Sequence, residues 1–157
     1  MKLVLGCVAG IFAADWVIAN VKMPWFAIGL FDEPAHLATG YLLGGSDPVF
    51  LAGSVLPDVD HIPLVFEDPT PGDPRPKTHS LYAVAATALF SRRAAAGVLA
   101  HFTRDLALGP GVPLLGGRSY TVPYGAYALL LLAAAYSRSR PWRAAPAHIP
   151  GASGRGP

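Results

Sequence analysis

Residues 56–61 read Leu-Pro-Asp-Val-Asp-His, and apolar runs lie on both sides of them. This segment holds three groups that can bind a metal, Asp58, Asp60 and His61, within four residues. Two carboxylates this close repel each other unless a cation or a proton lies between them. A solvated turn is the other interpretation, because Pro-Asp is common in turns. The segment therefore indicates a polar centre at which the apolar parts of the chain meet.

The composition favours a membrane protein. The chain has 157 residues, the length of one domain, and 52% of them are hydrophobic. Charged residues make up 14%, against about one quarter in ordinary soluble domains, and the mean hydropathy is +0.39. So few charges cover a water-facing surface poorly, although a compact soluble helical bundle remains the alternative. The net charge is +2, and no basic stripe is interleaved with aromatic residues, so we expect no nucleic-acid partner.

The broken apolar runs predict an all-α fold, a multi-pass membrane bundle of short or broken helices around a polar metal site. An uninterrupted span needs about 20 apolar residues, and the segment 3–21 comes closest, with Asp15 inside it. We expect an uncleaved membrane helix there rather than a signal peptide, because Asp15 and Trp16 stand where cleavage would occur. Cys7 is the single cysteine, which excludes an intrachain disulfide.

Further apolar segments predict the remaining helices, at 35–43, 81–90, 94–108 and 124–136, with another apolar run at 48–56. Asp32 is predicted to cap the first of these, with Pro34 in its first turn, where proline is tolerated. Thr78 is predicted to cap the helix over 81–90. Polar or glycine- and proline-rich composition predicts irregular segments at 67–77 and 109–123.

The domain organisation follows from these segments. Residues 1–140 form a single helical membrane domain, with an N-terminal helix within 1–30, and residues 141–157 form a disordered tail rich in proline, glycine and arginine. The arginines that follow Tyr136 would lie on the cytoplasmic side by the positive-inside rule. We therefore expect a multi-pass protein of the inner (cytoplasmic) membrane, with membrane lipid as its surroundings.

Histidines and aspartates recur in or beside the apolar segments. His101 and Asp105 are four residues apart on a predicted helix, so they share one face. His79 stands at a helix start, and His36 stands one turn into a helix. Ionisable groups in an apolar setting are costly unless they are paired or bound to metal. Together they predict a divalent-metal site formed by His36, Asp58, Asp60, His61, His79, His101 and Asp105.

The ligand types indicate which metal would bind. Imidazole and carboxylate suit zinc, with manganese or iron as alternatives, and the set contains no thiolate. A tetrahedral zinc uses four ligands, and the candidates exceed that number. The set therefore predicts two ions, or one ion with supporting residues around its ligands. His148 lies in the expected tail and is not included.

The segments that carry these residues resemble the LexA-regulated, membrane-bound, metal-dependent hydrolase family (YdjM-like). The resemblance covers about 34–132, and the matching pieces are Ala35-His36 followed by Gly40, Leu56 to His61, Thr78-His79-Ser80-Leu81, His101-Phe102-Thr103-Arg104-Asp105, and Gly111-Val112-Pro113-Leu114-Leu115. Two positions depart from the family: Pro74 stands where the family often has histidine, and Leu108 stands where it usually has threonine. The first departure bears on the number of metals and on activity.

The resemblance implies a membrane-bound hydrolase that acts through a metal-activated water. The His-x-x-x-Asp element of His101 and Asp105 is also similar to one in the zinc-dependent phospholipase C and P1 nuclease enzymes, which hydrolyse phosphoesters. A phosphoesterase acting on a lipid or another interfacial substrate is therefore the expected activity. Asp60 would bridge two ions or take the proton of the water, and Arg75 would hold an anionic substrate oxygen.

Two other functions stay open at this point. The same ligands would line a metal path in a carrier, channel or sensor that performs no chemistry. The polar residues would alternatively join the helices of a small membrane scaffold. The segment 56–61 discriminates best, because joining helices does not require two acids and a histidine together.

Overall fold

The computed structural model describes residues 1–61, 78–108, 111–113, 115 and 119–140, with the side chains of Trp25 and Asp60 excepted. Over these residues the chain is helical and forms no strand, which confirms the all-α class. One antiparallel bridge pairs Val112 with Tyr120. The helices are α1 (Lys2–Asn20), α2 (Trp25–Gly44), α3 (Pro48–Gly53), a 3₁₀ helix (Leu56–His61), α4 (Leu81–Phe90), α5 (Arg92–Asp105) and α6 (Tyr124–Ser139).

The largest apolar core lies between α1, α2 and α6. α1 and α2 are joined by the short connection 21–24 and pack along each other as a helical hairpin. α6 packs on both of them, and its Tyr127 and Leu131 are among the most buried side chains. The buried members of this core are Val4, Ile11, Ala14, Ala35, Leu42, Tyr127, Leu131 and Ala135.

Helix α2 differs from the prediction, because it begins at Trp25 and continues through Pro34 instead of beginning at Ala35. A proline inside a helix costs about 3 kcal/mol, since it removes one backbone hydrogen bond. Packing of α2 along α1 offsets that cost, so tertiary contacts extend the helix in the N-terminal direction. Asp32 therefore lies inside α2 and is not its cap. Residue 24 occupies the N-cap position, where proline offers no side-chain cap.

Helices α3 and α5 cross with their backbones in contact. A Cβ atom at Gly97 of α5 would overlap the Phe50 carbonyl and the Gly53 backbone, and a Cβ at Gly53 would overlap the Ala94 backbone. Two glycines facing each other thus allow an approach that any larger residue would prevent. This crossing brings the segment after α3 against α5, where His101 lies.

The caps of two helices agree with their local sequence. Asp47 accepts hydrogen bonds from the backbone N–H groups of Val49 and Phe50 at the start of α3. Ser91 accepts one from Ala94 at the start of α5. At α4, however, Ser80 occupies the N-cap in place of the predicted Thr78, and it makes no side-chain cap bond.

One described helix, α1, is long and apolar enough to cross a membrane. By the same criterion it could be a signal sequence. The multi-pass arrangement stays a prediction, because no other described helix combines that length with that composition. The predictions for 67–77 and 141–157 lie outside the described residues.

Candidate metal centre

Six of the seven residues predicted as ligands converge at one place. They come from α2, from the 3₁₀ helix, from the residues just before α4 and from α5. Their ligand atoms form three trios whose members all lie within 4.8 Å of one another: His36, Asp58 and His101; Asp58, His61 and His79; and His79, His101 and Asp105. These groups, which are buried or partly buried, could hold a metal ion.

Asp58 occupies the middle of the cluster. Its Oδ1 lies 3.0 Å from Nδ1 of His61 and 3.1 Å from Nε2 of His79. Nε2 of His101 is 3.6 Å from the same oxygen, and Nε2 of His36 is 3.7 Å from Oδ2. One carboxylate thus faces four imidazoles, a convergence of lone pairs that is unfavourable unless protons or a cation lie between them.

Asp105 faces three of these histidines from α5. Its Oδ2 lies 3.2 Å from Nε2 of His101 and 3.5 Å from Nε2 of His79, and its Oδ1 lies 3.4 Å from Nε2 of His36. The rings of His36 and His101 are stacked, with centroids 3.7 Å apart and planes 10° from parallel. Both stacked rings therefore present Nε2 to the same two carboxylates, those of Asp58 and Asp105.

The orientation of His101 is set by the crossing of α3 and α5. Its Nδ1 lies 2.9 Å from the carbonyl oxygen of Ser54, the residue that follows α3. A carbonyl only accepts, so Nδ1 carries a proton and donates it. In the neutral ring, Nε2 then has the lone pair that a metal requires. A backbone carbonyl in this position is a common way for proteins to orient a metal-binding imidazole.

Buried polar atoms that lack a hydrogen bond provide a test of whether the cluster fits a cation. In the part of the chain that the structure describes, they include Nε2 of His36, Oδ2 of Asp58 and Nε2 of His101. Leaving such an atom without a partner costs about 1–3 kcal/mol, so native structures rarely do so. All three belong to one of the trios. A divalent cation among these residues would satisfy them together, so the cluster fits such an ion.

Contacts within the cluster set its charges. Burial alone would raise the pKa of Asp58, but hydrogen bonds from two neighbouring imidazoles hold it below the usual range. Burial also opposes ionisation of Asp105, yet the adjacent imidazole of His101, together with His36 and His79, lowers the pKa of Asp105 to about 2. Burial lowers the pKa of His36, and the nearby charge of His101 lowers it further. For Asp58, Asp105 and His36 these are the deprotonated forms that bind metals. Burial opposes protonation of His101, but the neighbouring Asp105 raises the pKa of His101, so this imidazole would release its proton when a metal binds.

Glu33 joins the cluster, although the sequence analysis did not single it out. It lies on α2 three residues before His36 and is partly buried. Burial, together with the negative charge of Asp58, raises the pKa of Glu33 to about 7. The signal was present in the sequence, because residues three apart on a helix are neighbours.

A buried ion-pair network adjoins the cluster, and sequence reasoning missed it as well. Arg104 lies between Asp15 of α1 and Asp32 of α2. Asp32 was expected to be a helix cap, and Asp15 was considered only as an interruption of an apolar run. Charged residues within apolar helices indicate that a buried partner exists. The sequence could not say which one.

The two predicted catalytic residues remain predictions. The backbone of Asp60 belongs to the 3₁₀ helix, but its side chain lies outside what the structure describes. Arg75 and the departure at Pro74 lie wholly outside the described residues. Leu108, the second departure, lies just after the end of α5.

Comparisons with protein-family models, with curated proteins and with solved structures found no match to this chain.

Proposed function

We propose that this chain is a membrane-bound, metal-dependent hydrolase whose centre is the cluster around Asp58 and Asp105. The observation that carries the proposal is the convergence of imidazole and carboxylate atoms from four segments, several of them buried without a hydrogen bond. Charges and lone pairs buried in this way are costly unless a cation neutralises them. Binding of a cation at this cluster would therefore stabilise the fold.

Zinc is the metal that we propose, with manganese or iron as alternatives and with one or two ions. The donors are imidazole nitrogens and carboxylate oxygens, which suit these metals. Cys7 is not among the donors, because it lines the apolar groove between α1 and α2. An ion held here would supply Lewis-acid activation of water, which lowers the pKa of water to about 7 in zinc enzymes.

Glu33 is the residue that we propose accepts the proton of the attacking water. The charge of Asp58 and burial raise its pKa to about 7, and it is partly exposed, whereas His36 and His101 are buried. The water oxygen would bond to the phosphorus or carbonyl carbon of an ester. The bond to the leaving oxygen would then break, and that oxygen would receive the proton from Glu33.

The substrate that we propose is a phosphoester of a lipid or of another interfacial molecule. The phosphoester class rests on the resemblances described above. By those resemblances, Asp60 would bridge two ions or take the proton of the water, and Arg75 would hold an anionic substrate oxygen. The interfacial location rests on exposed apolar surface. Leu89 and Phe90 of α4 are 85% and 90% exposed, and Leu129 of α6 is 69% exposed. Surfaces of this kind mark contacts with lipid or protein.

Helix α1 is the segment that we propose crosses the membrane. Only 17% of its apolar window is buried within the fold, so it differs from the core helix of a soluble protein. Insertion of further helices would make the protein multi-pass in the inner membrane, with lipid around α4 and α6. That arrangement is part of the proposal.

Metal analysis of the purified full-length chain tests the proposal. We expect one or two zinc ions per chain in detergent, and we expect Asp58→Asn and His101→Ala each to lose them. The control is His148→Ala, which removes a histidine that is not among the proposed ligands and should retain the metal. Full metal content in both cluster variants would show that these residues are not ligands. Hydrolysis of phosphoester and carboxylester substrates is measured on the same preparations. We expect the rate of hydrolysis in each variant to fall together with its zinc content.

A metal carrier or sensor without chemistry is the second candidate. The observation that favours it is the depth of the centre, because the side chains of His36 and His101 are 1% and 0% exposed. Stoichiometric zinc without hydrolysis of any ester, together with zinc uptake into vesicles that Asp105→Asn abolishes, would support this function instead.

A further inference from the structure

Arg104 is fully buried on α5, beside the ligand candidate Asp105. Its Nη2 lies 2.8 Å from Oδ1 of Asp15 on α1 and 2.9 Å from Oδ1 of Asp32 on α2. One guanidinium group thus joins three helices. A buried charge of this kind is tolerated only because it is paired, and removal of one partner leaves the others uncompensated.

The ion pairs continue on both sides of Arg104. On one side, the hydroxyl of Tyr124 on α6 donates a 2.8 Å hydrogen bond to Oδ2 of Asp15. On the other side, Oδ2 of Asp32 lies 3.6 Å from Nε2 of His36. Asp32 and His36 are four residues apart on α2 and share one face. A continuous line of polar contacts therefore runs from α6 through α1 and α5 to the metal centre on α2.

We infer that Arg104 is a positioning residue of the proposed metal centre, and that Asp15 of α1 acts through it. The inference rests on the proposed function, because it concerns the geometry of the same ligands. Asp15 and Asp32 hold the guanidinium group from two helices. Arg104 in turn fixes Asp32 beside His36 and sets α2 at a defined position relative to His101 and Asp105 of α5. Helix α1 thereby belongs to the centre, although it supplies no ligand.

The ion pairs from Arg104 to Asp15 and to Asp32 together hold the carboxylate of Asp32 in place. Arg104 offsets the charge of Asp32. Without Arg104, the carboxylate of Asp32 would be free to turn towards the cation site. Without the charge of Asp15, the guanidinium group would move towards Asp32 and shift that carboxylate from its position beside His36. Residues that orient ligands in this way typically change metal affinity by about 10–100-fold when they are substituted.

Zinc affinity of the full-length chain tests the inference, measured in detergent by competition with a chromogenic chelator. Asp15→Asn preserves the shape of the side chain and removes its charge, and we expect it to weaken zinc binding at least tenfold. Arg104→Gln should do the same, and Arg104→Lys should recover part of the affinity because it restores the charge. The matched control is Arg93→Gln on the same helix, where a 76% exposed arginine pairs with Asp47.

The outcomes separate the inference from the proposed function. The melting temperature of each metal-free variant is measured alongside, because a purely structural ion pair would lower Tm and leave the zinc affinity of the folded protein unchanged. Wild-type affinity in Asp15→Asn, whatever its Tm, would overturn the positioning role while the metal site stands. Absence of zinc binding by the unsubstituted chain would overturn the metal site, and the inference with it.

Discussion

The carboxyl group of Asp58 acquires its role from contacts with residues both near and far along the chain. His61 is three residues away, whereas His79 and His101 approach from other segments. The segment 56–61 therefore contained the central residue of the cluster, but the local sequence contained one of its four histidine neighbours. Residue types alone were enough to identify groups that could hold a metal, because imidazole and carboxylate in an apolar chain are costly unless they are paired or bound to an ion.

At the same scale, Glu33→Gln distinguishes proton transfer from metal binding. The amide keeps the size of the side chain and loses the ability to take a proton. We expect hydrolysis to fall about 10²–10⁴-fold, the range for the loss of a general base, while the zinc content stays at the wild-type value. Ester hydrolysis and zinc content are measured on one preparation.

Unchanged hydrolysis in Glu33→Gln would exclude Glu33 as the proton acceptor. Loss of zinc would instead place its carboxylate among the ligands. Asp47→Asn is a suitable control, because Asp47 caps α3 and pairs with the exposed Arg93, away from the cluster.

The crossing of α3 and α5 shows how an element positions the chemistry. The apolar residues predict a helix over 94–108, and the structure has it at Arg92–Asp105. Its contact with α3 could not be predicted, because it depends on Gly53 and Gly97 meeting across the fold. That close approach places the Ser54 carbonyl at hydrogen-bond distance from His101.

The substitution Gly97→Ala tests this crossing. The new Cβ would overlap the backbone of α3, and such overpacking costs about 1–3 kcal/mol. We expect a lower Tm and weaker zinc binding, because the Ser54 carbonyl would move away from His101. Thermal unfolding followed by circular dichroism and chelator competition measure the two effects.

Gly10→Ala is the control for that substitution. A Cβ at Gly10 of α1 meets nothing within 4 Å, and alanine is about 1 kcal/mol more favourable than glycine inside a helix. Its stability should therefore rise or stay level. If Gly97→Ala is as stable as the wild type, the backbones of α3 and α5 are not in the contact described.

Helix α2 shows why local rules misplaced one boundary. Asp32 followed closely by Pro34 is a typical helix start, and local sequence alone predicts one there. The structure continues the helix from Trp25 through Pro34, because the N-terminal half of α2 packs on α1. The consequence for function is direct: Asp32 lies on a helical face with His36 and pairs with Arg104, a role that a helix cap would not have.

At the scale of the whole molecule, α1 combines two properties that are rarely found together. Its apolar length suits a membrane span or a signal sequence, yet its Asp15 is 5% exposed and pairs with the buried Arg104. Removal of α1 would leave that guanidinium group with one carboxylate and would uncover the core that Tyr127 and Leu131 share with α1. The fold therefore depends on keeping α1.

We accordingly expect the mature protein to retain Asp15 and to stay with the membrane. Peptide mass spectrometry of carbonate-washed membranes should detect the peptide that contains Asp15 in the same amount as peptides from α5. The physical reason is the cost of an uncompensated buried charge, several kcal/mol after one partner is lost. A mature chain that begins after Asp15, or a protein released by the wash, would contradict the expectation. An established integral membrane protein in the same sample controls for the wash.

The sequence by itself determined the helical class and identified the residue types that could hold a metal. Ligand types, helical class and apolar character depend on composition and on spacing along a helix, which are local properties. The tertiary structure alone decided that one carboxylate faces four histidines and that Arg104 connects Asp15 and Asp32 to the centre. These facts depend on contacts between residues far apart in the chain. No local spacing specifies which buried charges will meet, because the pairing is chosen by the packing of helices.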